Sequence, residues 1–160
     1  MATLHFIYGK PGAGKTTLAR ELGRTVPAIV FCEDEWFVKL GFQIRSIEDL
    51  RDAIAKVRRV IGPLAIELLE LGVSVAFDFG GNTPAHRAWV RGVFEAASAD
   101  HALHVIDRPD DECLANIRRR NDEQPDGVYY GHVAEEMFAM VTPYISKPSP
   151  DEGFTLIAHR

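Results

Sequence analysis

The chain contains little cysteine and no long apolar run, and each absence excludes a class of protein. Cys32 and Cys113 are the two cysteines among 160 residues, and they form neither a CxxC pair nor a cluster with histidine. This pattern predicts two free thiols and disfavours a disulfide framework or a zinc site. Apolar runs such as Leu64 to Leu69 are interrupted by charge and fall well short of the ~20 residues that span a bilayer. We therefore expect no membrane span and no membrane partner.

A basic excess and a leader pattern are also missing. Lys and Arg total 18 against 23 Asp and Glu, which gives a formal charge of −5. This charge disfavours nucleic acid as a partner, because a long phosphate track needs a basic face. The first residues carry no basic region, and the apolar stretch from Leu4 to Tyr8 runs straight into glycines. These features predict no signal peptide and a cytoplasmic location.

The composition is typical of one globular domain. Hydrophobic residues make up 46% and charged residues 26% of the chain, enough to build a core without staples. Short β-like runs alternate with helix-like stretches, which predicts an α/β domain over residues 1–160 with a parallel sheet covered on both faces. The predicted strands are Leu4–Tyr8, Ala28–Cys32, Val73–Phe77, Ala102–Ile106 and Phe154–Ala158.

Capping residues and apolar periodicity predict the helices. A stripe of apolar residues over 48–71 predicts a core helix that Gly62-Pro63 kinks or splits, with Ser46 as its N-cap. Thr83-Pro84 should open the next helix, and Asp110 should cap the helix after strand four. Turn residues from Asn121 to Gly131 follow a run of three arginines, so we expect a mobile lid around residues 118–131.

The motif that carries chemistry lies directly after the first strand. Residues 9–16 read GKPGAGKT, which fits GxxxxGK[ST] and is followed by a helical stretch. Such a loop presents several backbone N–H groups to phosphate, while Lys15 reaches the β- and γ-phosphates and the Thr16 hydroxyl holds Mg²⁺. We therefore expect ATP or GTP together with Mg²⁺. The predicted nucleotide-binding residues are Gly9, Gly12, Ala13, Gly14, Lys15, Thr16 and Thr17.

Two carboxylates follow predicted strands where a parallel sheet places its ligands. Asp78 ends the third strand and is typical of a Walker B aspartate, which holds Mg²⁺ directly or through water. Asp34 follows the second strand and is the first candidate for the general base that takes the proton of a hydroxyl acceptor, with Asp78 as the alternative. Glu33 and Glu35 are interpreted as solvated flanks.

Three further positions are candidates with structural alternatives. Arg118 and Arg120 precede the predicted lid, where a guanidinium could stack on adenine or clamp phosphate, or could simply complement the helix dipole. Arg87 could reach phosphate or acceptor, or form a surface salt bridge. Trp36 could line the acceptor pocket, or anchor the core.

In combination, these motifs resemble a known family. GKPGAGKTT at 9–17, Asp34-Glu35-Trp36, Phe77-Asp78-Phe79 with Thr83 and Arg87, Arg120-Asn121 and residues 148–152 are similar to the small bacterial P-loop kinases of the zeta-toxin, chloramphenicol phosphotransferase and polynucleotide kinase type, including members described as AAA family ATPases. The resemblance implies a three-layer, nucleoside-monophosphate-kinase-like fold with strand order 2-3-1-4-5, ATP and Mg²⁺ as cosubstrates, and phosphoryl transfer to a hydroxyl. It also implies that Asp34 is the base, that Arg120 is the lid arginine and that Lys15 and Thr16 bind phosphate and metal.

Departures from that family bear on the acceptor. Phe37 stands where relatives that act on nucleotides often have arginine, Gly80-Gly81-Asn82 stands where many have aromatics, and Asn116 replaces a further lid arginine. We expect an ATP-dependent kinase with a small-molecule hydroxyl acceptor. A polynucleotide 5′-hydroxyl kinase and a nucleotide-binding switch or ATPase without an acceptor are the alternatives.

Overall fold

A parallel five-stranded sheet forms the centre of the molecule. The computed structural model describes residues 1–79 and 81–160 in full and Gly80 by its backbone only. The strand order is β2-β3-β1-β4-β5 and every pairing is parallel, which confirms the predicted order. The third strand continues beyond the prediction, and the fifth begins later than predicted. The strands are β1 (Thr3–Tyr8), β2 (Ala28–Cys32), β3 (Ser74–Gly80), β4 (Asp100–Ile106) and β5 (Leu156–His159).

Helices cover both faces of the sheet and complete three layers. Side chains alternate along a strand, so Leu4 and Phe6 of β1 join the larger core cluster on one face, while Ile7 joins a smaller one on the other. The helices are α1 (Lys15–Thr25), α2 (Glu33–Lys39), α3 (Ile47–Glu70), α4 (Pro84–Ala96), α5 (Asp110–Glu123) and α6 (Glu135–Val141), with 3₁₀ turns at Thr142–Tyr144 and Pro150–Glu152. The larger cluster contains residues of α3 and α4, and the smaller one residues of α1, α5 and α6.

Helix α3 runs without a break through Pro63, so the predicted split is wrong, while the kink stays a prediction. Pro63 and Arg59 both face solvent. Pro63 has no backbone N–H, so the carbonyl oxygen of Arg59, four residues earlier, has no hydrogen-bond donor within the helix. Water can satisfy that carbonyl, and the helix continues. The buried stripe consists of Ala53, Val57, Ile61, Ala65 and Leu69, whereas Leu64 and Leu71 of the predicted stripe are exposed.

Two of the three predicted caps are confirmed. The Ser46 hydroxyl accepts a hydrogen bond from the Asp49 amide at 3.0 Å, and the Thr83 hydroxyl accepts one from the His86 amide at 3.2 Å. The predicted cap at Asp110 is wrong. Pro109 precedes the helix, and Asp110 is its first residue, where it pairs with Lys10 at 2.6 Å and complements the positive helix end.

Both cysteines are buried and neither forms a disulfide. No helix among the described residues is long and apolar enough to cross a membrane.

Candidate active site

The glycine loop between β1 and α1 forms a cradle that only glycine fits at its tightest point. Gly12 and Gly14 have φ angles of 79° and 100°, in the left-handed region that favours glycine. A Cβ atom on Gly12 would lie 2.3 Å from the carbonyl oxygen of Cys113. Gly14 is the N-cap of α1 and has no side chain to occupy the first amides of the helix. The loop and the helix end therefore leave backbone N–H groups free for an anion.

Lys15 bridges this loop. Its ammonium group donates to the carbonyl oxygens of Gly9 at 2.7 Å and Lys10 at 3.1 Å. Burial lowers the pKa of Lys15, while the charges of Asp78 and Asp34 oppose that shift. The ammonium group is hydrogen-bonded only to backbone carbonyl oxygens, and the carboxylates act on it as nearby charges. A bound phosphate would give it a directly contacting negative partner.

A hydroxyl and a carboxylate meet beside the loop. Thr16 Oγ1 donates to Asp78 Oδ2 at 2.6 Å, and Asp78 is only 7% exposed, two residues before the end of β3. These are hard oxygen donors of the kind that Mg²⁺ uses, one or two from protein and the rest from phosphate and water. No group of three or more potential metal ligands occurs among the described residues, so this pair fits a metal shared with phosphate better than a metal enclosed by protein.

Asp34 lies at the start of α2 and pairs with Arg120 of α5. Arg120 Nη2 donates to Asp34 Oδ2 at 2.9 Å and to the Val128 carbonyl oxygen at 2.8 Å, and its guanidinium lies 5.3 Å from the Tyr130 ring centre. Burial raises the pKa of Asp34 to about 6, although Arg120 and Lys15 oppose the rise. Arg120 thus connects the carboxylate to the loop after α5.

Part of the predicted lid is helical. Residues 118–123 belong to α5, so the loop itself begins later than predicted. Asn121 fixes its base, because the amide side chain donates to the Val133 carbonyl oxygen at 2.8 Å and accepts from the Val133 amide at 3.0 Å. The mobility of the lid stays a prediction.

Glu33 is not the solvated flank that the sequence suggested. Its side chain is 12% exposed, and Oε2 lies 3.6 Å from Nε of the equally buried Arg58. Burial raises the pKa of Glu33 to about 7, with Arg58 opposing the rise. Arg58 lies 4.9 Å from the Trp89 ring centre. Glu35 does lie at the surface, where it pairs with Lys39 at 2.7 Å.

Arg87 was a candidate for contact with phosphate or acceptor, but its side chain is buried in the interior. The side chain is 1% exposed, and it donates to both carboxylate oxygens of Glu152 at 2.6 and 2.8 Å. It also donates to the carbonyl oxygens of Gly81 at 3.0 Å and Ser146 at 2.9 Å. Arg87 does form a salt bridge, the alternative given above, but the bridge lies in the interior and not at the surface. The reason is that residues 146–152, before β5, fold over α4.

The contacts of Arg118 and Trp36 lie with α6 and with the larger core cluster, respectively. Arg118 is exposed and pairs with Glu135 at 2.5 Å, and its assignment to the nucleotide stays a prediction. The 3.6-residue helical period turns Arg118 toward α6 and its neighbour Arg119 toward the glycine loop. Trp36 is partly buried and packs against the larger core cluster, which agrees with the core-anchor alternative.

A cleft of about 340 Å³ opens on the outer side of the glycine loop. Arg108 Nε donates to the Ala13 carbonyl oxygen and Asn116 Nδ2 to the Gly12 carbonyl oxygen, both at 2.8 Å. Both side chains brace the loop from the β4 side. The cleft is lined by Ala13, Gly14, Thr17, Leu18, Glu21, Ile106, Arg108, Asn116, Arg119, His159 and Arg160.

Comparison with known proteins supplies the family. A family model described as an AAA domain matches residues 4–140. The chain belongs to this AAA domain family. No curated protein matches the chain.

Solved kinase structures share the fold of this AAA domain. A provisionally assigned kinase from Chloroflexus aurantiacus J-10-fl superposes with a TM-score of 0.78 at 18% identity, over 98% of this chain and 86% of that one. A sugar kinase from Janibacter sp. HTCC2649 gives 0.67 at 15% identity, over 99% and 85%. The Mycobacterium tuberculosis APS kinase CysC, in complex with AMPPNP and APS, gives 0.63 at 22% identity, over 98% and 88%. The fold is therefore that of small P-loop kinases.

The structure of the AAA domain joins most of the candidates found in the sequence. Lys15, Thr16, Asp78, Asp34 and Arg120 lie together at the carboxyl edge of the sheet. Sequence reasoning missed the Glu33–Arg58 pair and the loop contacts of Arg108 and Asn116. The only sequence feature that pointed to a site role for Glu33 was its position directly beside Asp34. For Asn116, the feature was its position one helical turn before Arg120, on the same side of α5.

Proposed function

We propose that this AAA domain binds ATP with Mg²⁺ at the glycine loop and transfers the γ-phosphate to a hydroxyl group of a small molecule. The observation that carries the proposal is the position of Asp34. The charged groups that act most strongly on this carboxylate are Arg120, Asp78 and Lys15. A potential base therefore lies within the electrostatic reach of the groups assigned to phosphate and metal.

The glycine loop would bind the phosphates. The first turn of α1 begins at Gly14 without a side-chain cap, which leaves its backbone N–H groups available to an anion, and Lys15 adds a full positive charge beside the loop. Gly9 is held by Asn82, whose side-chain oxygen accepts a hydrogen bond from the Gly9 amide at 2.9 Å. The loop is thus braced before nucleotide arrives, which reduces the ordering cost of binding.

Thr16 and Asp78 would hold Mg²⁺. Their oxygens already meet at 2.6 Å, and Asp78 is buried at the strand end. When bound, Mg²⁺ would neutralise charge on the phosphates as the transferred group moves.

Asp34 would take the proton of the acceptor. As the acceptor oxygen forms its bond to the γ-phosphorus, the bond from that phosphorus to the β,γ-bridging oxygen breaks and ADP leaves with the electron pair. The acceptor proton passes to Asp34, which must be ionised and free to receive it. Arg120 is the partner that would leave Asp34 for the negative charge of the phosphates, because a guanidinium binds phosphate in the same bidentate way as carboxylate.

The test is transfer of labelled γ-phosphate from ATP·Mg²⁺ to pools of hydroxylated acceptors: sugars, nucleosides, aminoglycosides, other hydroxylated antibiotics and 5′-hydroxyl oligonucleotides. We expect label in a small-molecule pool. Asp34→Asn should reduce the transfer by about 10²–10⁴ fold, the usual contribution of a general base. Glu35→Gln is the matched control, because Glu35 lies on the same helix but pairs with Lys39 at the surface.

Other outcomes would redirect the assignment. Label confined to oligonucleotides would favour a polynucleotide 5′-hydroxyl kinase. Nucleotide binding without label in any pool would contradict a kinase and favour a nucleotide-binding switch. Full transfer by Asp34→Asn would remove Asp34 as the base and make Asp78 the next candidate.

A further inference from the structure

Asp34 lies in the first turn of α2, and two ion pairs attach this turn to neighbouring helices. Asp34 itself pairs with Arg120 of α5 at 2.9 Å. Glu33, the residue before it, pairs with Arg58 of α3, with Oε2 and Nε 3.6 Å apart. The turn has no side-chain cap, because Cys32 occupies the N-cap position without such a hydrogen bond. The two ion pairs therefore bear directly on where the proposed base lies.

Arg58 also contacts the strand that carries Asp78. Its guanidinium lies 6.0 Å from the ring centre of Phe79, the residue directly after Asp78 in β3. It lies 4.9 Å from the ring centre of Trp89 in α4, and the two rings are 5.9 Å apart. One guanidinium thus contacts the residue that precedes Asp34 and the residue that follows Asp78.

The position of Arg58 is itself fixed by packing. It lies within the 24-residue helix α3, and its side chain is 12% exposed, as is that of Glu33. Trp89 is held on one side by stacking on Phe77, with 5.6 Å between ring centres. On the other side it lies against Gly62, one turn after Arg58, where a Cβ atom would be 3.4 Å from the indole. A cation between a carboxylate and two aromatic rings has few alternative positions.

The two ion pairs would not behave alike during the reaction. Under the proposed function, Arg120 leaves Asp34 for the phosphates, so the base loses its own ion-pair partner at the moment when it must accept a proton. The pair between Glu33 and Arg58 joins protein to protein and can remain. It then still attaches the first turn of α2 to α3.

We propose that Arg58 is a positioning residue for the phosphoryl transfer, which holds Glu33 and thereby keeps Asp34 at a fixed distance from Asp78 after Arg120 has moved. The proposal rests on the proposed function, because Arg58 has this role only if Asp34 is the base. Arg58 acts through the backbone of α2 and contacts neither nucleotide nor acceptor. A misplacement of about 1 Å at a reacting group can cost about 10² fold in rate, so such a support affects turnover.

The experiment measures transfer of labelled γ-phosphate from ATP·Mg²⁺ to the acceptor pool that the unmodified chain labels, at pH 8, above the raised pKa of Glu33 of about 7. Arg58→Met removes the charge and keeps a long side chain against Trp89. We expect kcat and kcat/KM for the acceptor to fall together by about 10–10² fold. The Kd of ATP·Mg²⁺, measured by calorimetry, should stay unchanged. Arg59→Met is the matched control, because Arg59 is the next residue of α3 and is exposed.

A double variant separates positioning from stability. Arg58→Met alone leaves the carboxylate of Glu33 buried without a counter-charge, whereas Glu33→Gln together with Arg58→Met removes both charges and should recover stability. If the pair positions the base, kcat stays low in this well-folded double variant. Recovery of kcat together with the melting temperature would show that the pair only stabilises the fold and would overturn the proposal. Arg58→Lys retains the charge and should keep more of kcat than Arg58→Met.

Failure of this proposal is distinguishable from failure of the proposed function. An unchanged kcat in Arg58→Met, beside a large loss in Asp34→Asn, would overturn the positioning role and leave the kinase assignment standing. A joint loss of kcat and nucleotide affinity in Arg58→Met would show a general disturbance of the site and would also overturn the role. Absence of transfer by the unmodified chain to every acceptor pool would overturn the proposed function, and this inference with it.

Discussion

Lys15 is held in the site by two hydrogen bonds to the backbone of the glycine loop. It reaches back over the loop to two carbonyl oxygens, and its pKa is lowered by burial. Those contacts hold the ammonium in place without giving it a full counter-charge. An arriving phosphate supplies that charge, so the binding of nucleotide should depend strongly on this one group.

We predict that Lys15→Ala abolishes the thermal stabilisation that ATP·Mg²⁺ gives to the folded protein. A ligand that binds only the folded state raises the melting temperature in proportion to the logarithm of its concentration over Kd, so loss of binding removes the shift. Differential scanning fluorimetry with and without nucleotide measures it. Lys39→Ala, on the surface of α2, should keep the full shift. An unchanged shift in Lys15→Ala would contradict the assignment of the loop.

The second prediction at the residue scale concerns pH. Burial raises the pKa of Asp34 to about 6, more than Arg120 and Lys15 lower it. A base must be ionised to accept a proton, so kcat/KM should fall as pH decreases through about 6 and should level off above that value. Steady-state rates between pH 5 and 8 give the profile. A rate that is flat down to pH 5 would be inconsistent with Asp34 as the base.

At the scale of elements, three neighbouring strands are connected by histidines. His5 Nδ1 of β1 lies 3.0 Å from His104 Nε2 of β4, and His104 Nδ1 lies 2.8 Å from His159 Nε2 of β5. Each contact needs one proton between two ring nitrogens, and this requirement fails when both rings are charged, because neither then has an acceptor nitrogen. Burial, together with the charges of His5 and His159, lowers the pKa of His104 to about 4.

We predict that this row of histidines makes the sheet sensitive to acid. The pKa of His104 is lower in the folded chain than the ordinary value of 6.5, so between pH 6.5 and about 4 the unfolded chain binds a proton that the folded chain refuses. Its contribution to stability is present above pH 6.5 and is lost as pH falls through this window. Urea unfolding at pH 7 and pH 4.5 measures the loss, which should be smaller in His104→Gln. Equal losses in the two proteins would contradict the prediction.

At the scale of the whole molecule, the segment before β5 is attached through Arg87. This residue of α4 holds Glu152, the carbonyl oxygens of Gly81 and Ser146, and thereby the end of β3. The Ser146 amide donates to the Asn82 carbonyl oxygen at 2.9 Å, and the Asn82 side chain accepts from the first amide of the glycine loop. Arg87 thus connects the end of β3 to residues 146–152, and Asn82 connects the same corner to the glycine loop.

We predict that Arg87→Ala lowers the free energy of unfolding by about 3 kcal/mol, because it leaves the partly buried carboxylate of Glu152 and the carbonyl oxygens of Gly81 and Ser146 without their donor. Chemical denaturation followed by far-UV circular dichroism measures the change. Arg118→Ala removes an exposed, solvent-screened pair and should change the free energy of unfolding far less. If the two variants lost the same stability, the interior position of Arg87 would not matter to folding.

The order and type of the elements were largely predictable from sequence. Alternating apolar runs and capping residues depend on neighbours within a few positions, so Ser46 and Thr83 were placed correctly as caps. Boundaries were less predictable. Pro63 breaks a local rule, yet α3 continues through it because that side of the helix faces water.

The sequence by itself determined the glycine loop, because the left-handed turns at Gly12 and Gly14 and the lysine beside them are local requirements of one short segment. It also marked Asp34 and Asp78, since strand ends of a parallel sheet meet at one edge. Only the tertiary structure decided which of Arg87, Arg118 and Arg120 pairs with Asp34. Their partners lie 65, 17 and 86 residues away, respectively, and helix rotation and packing choose among such partners.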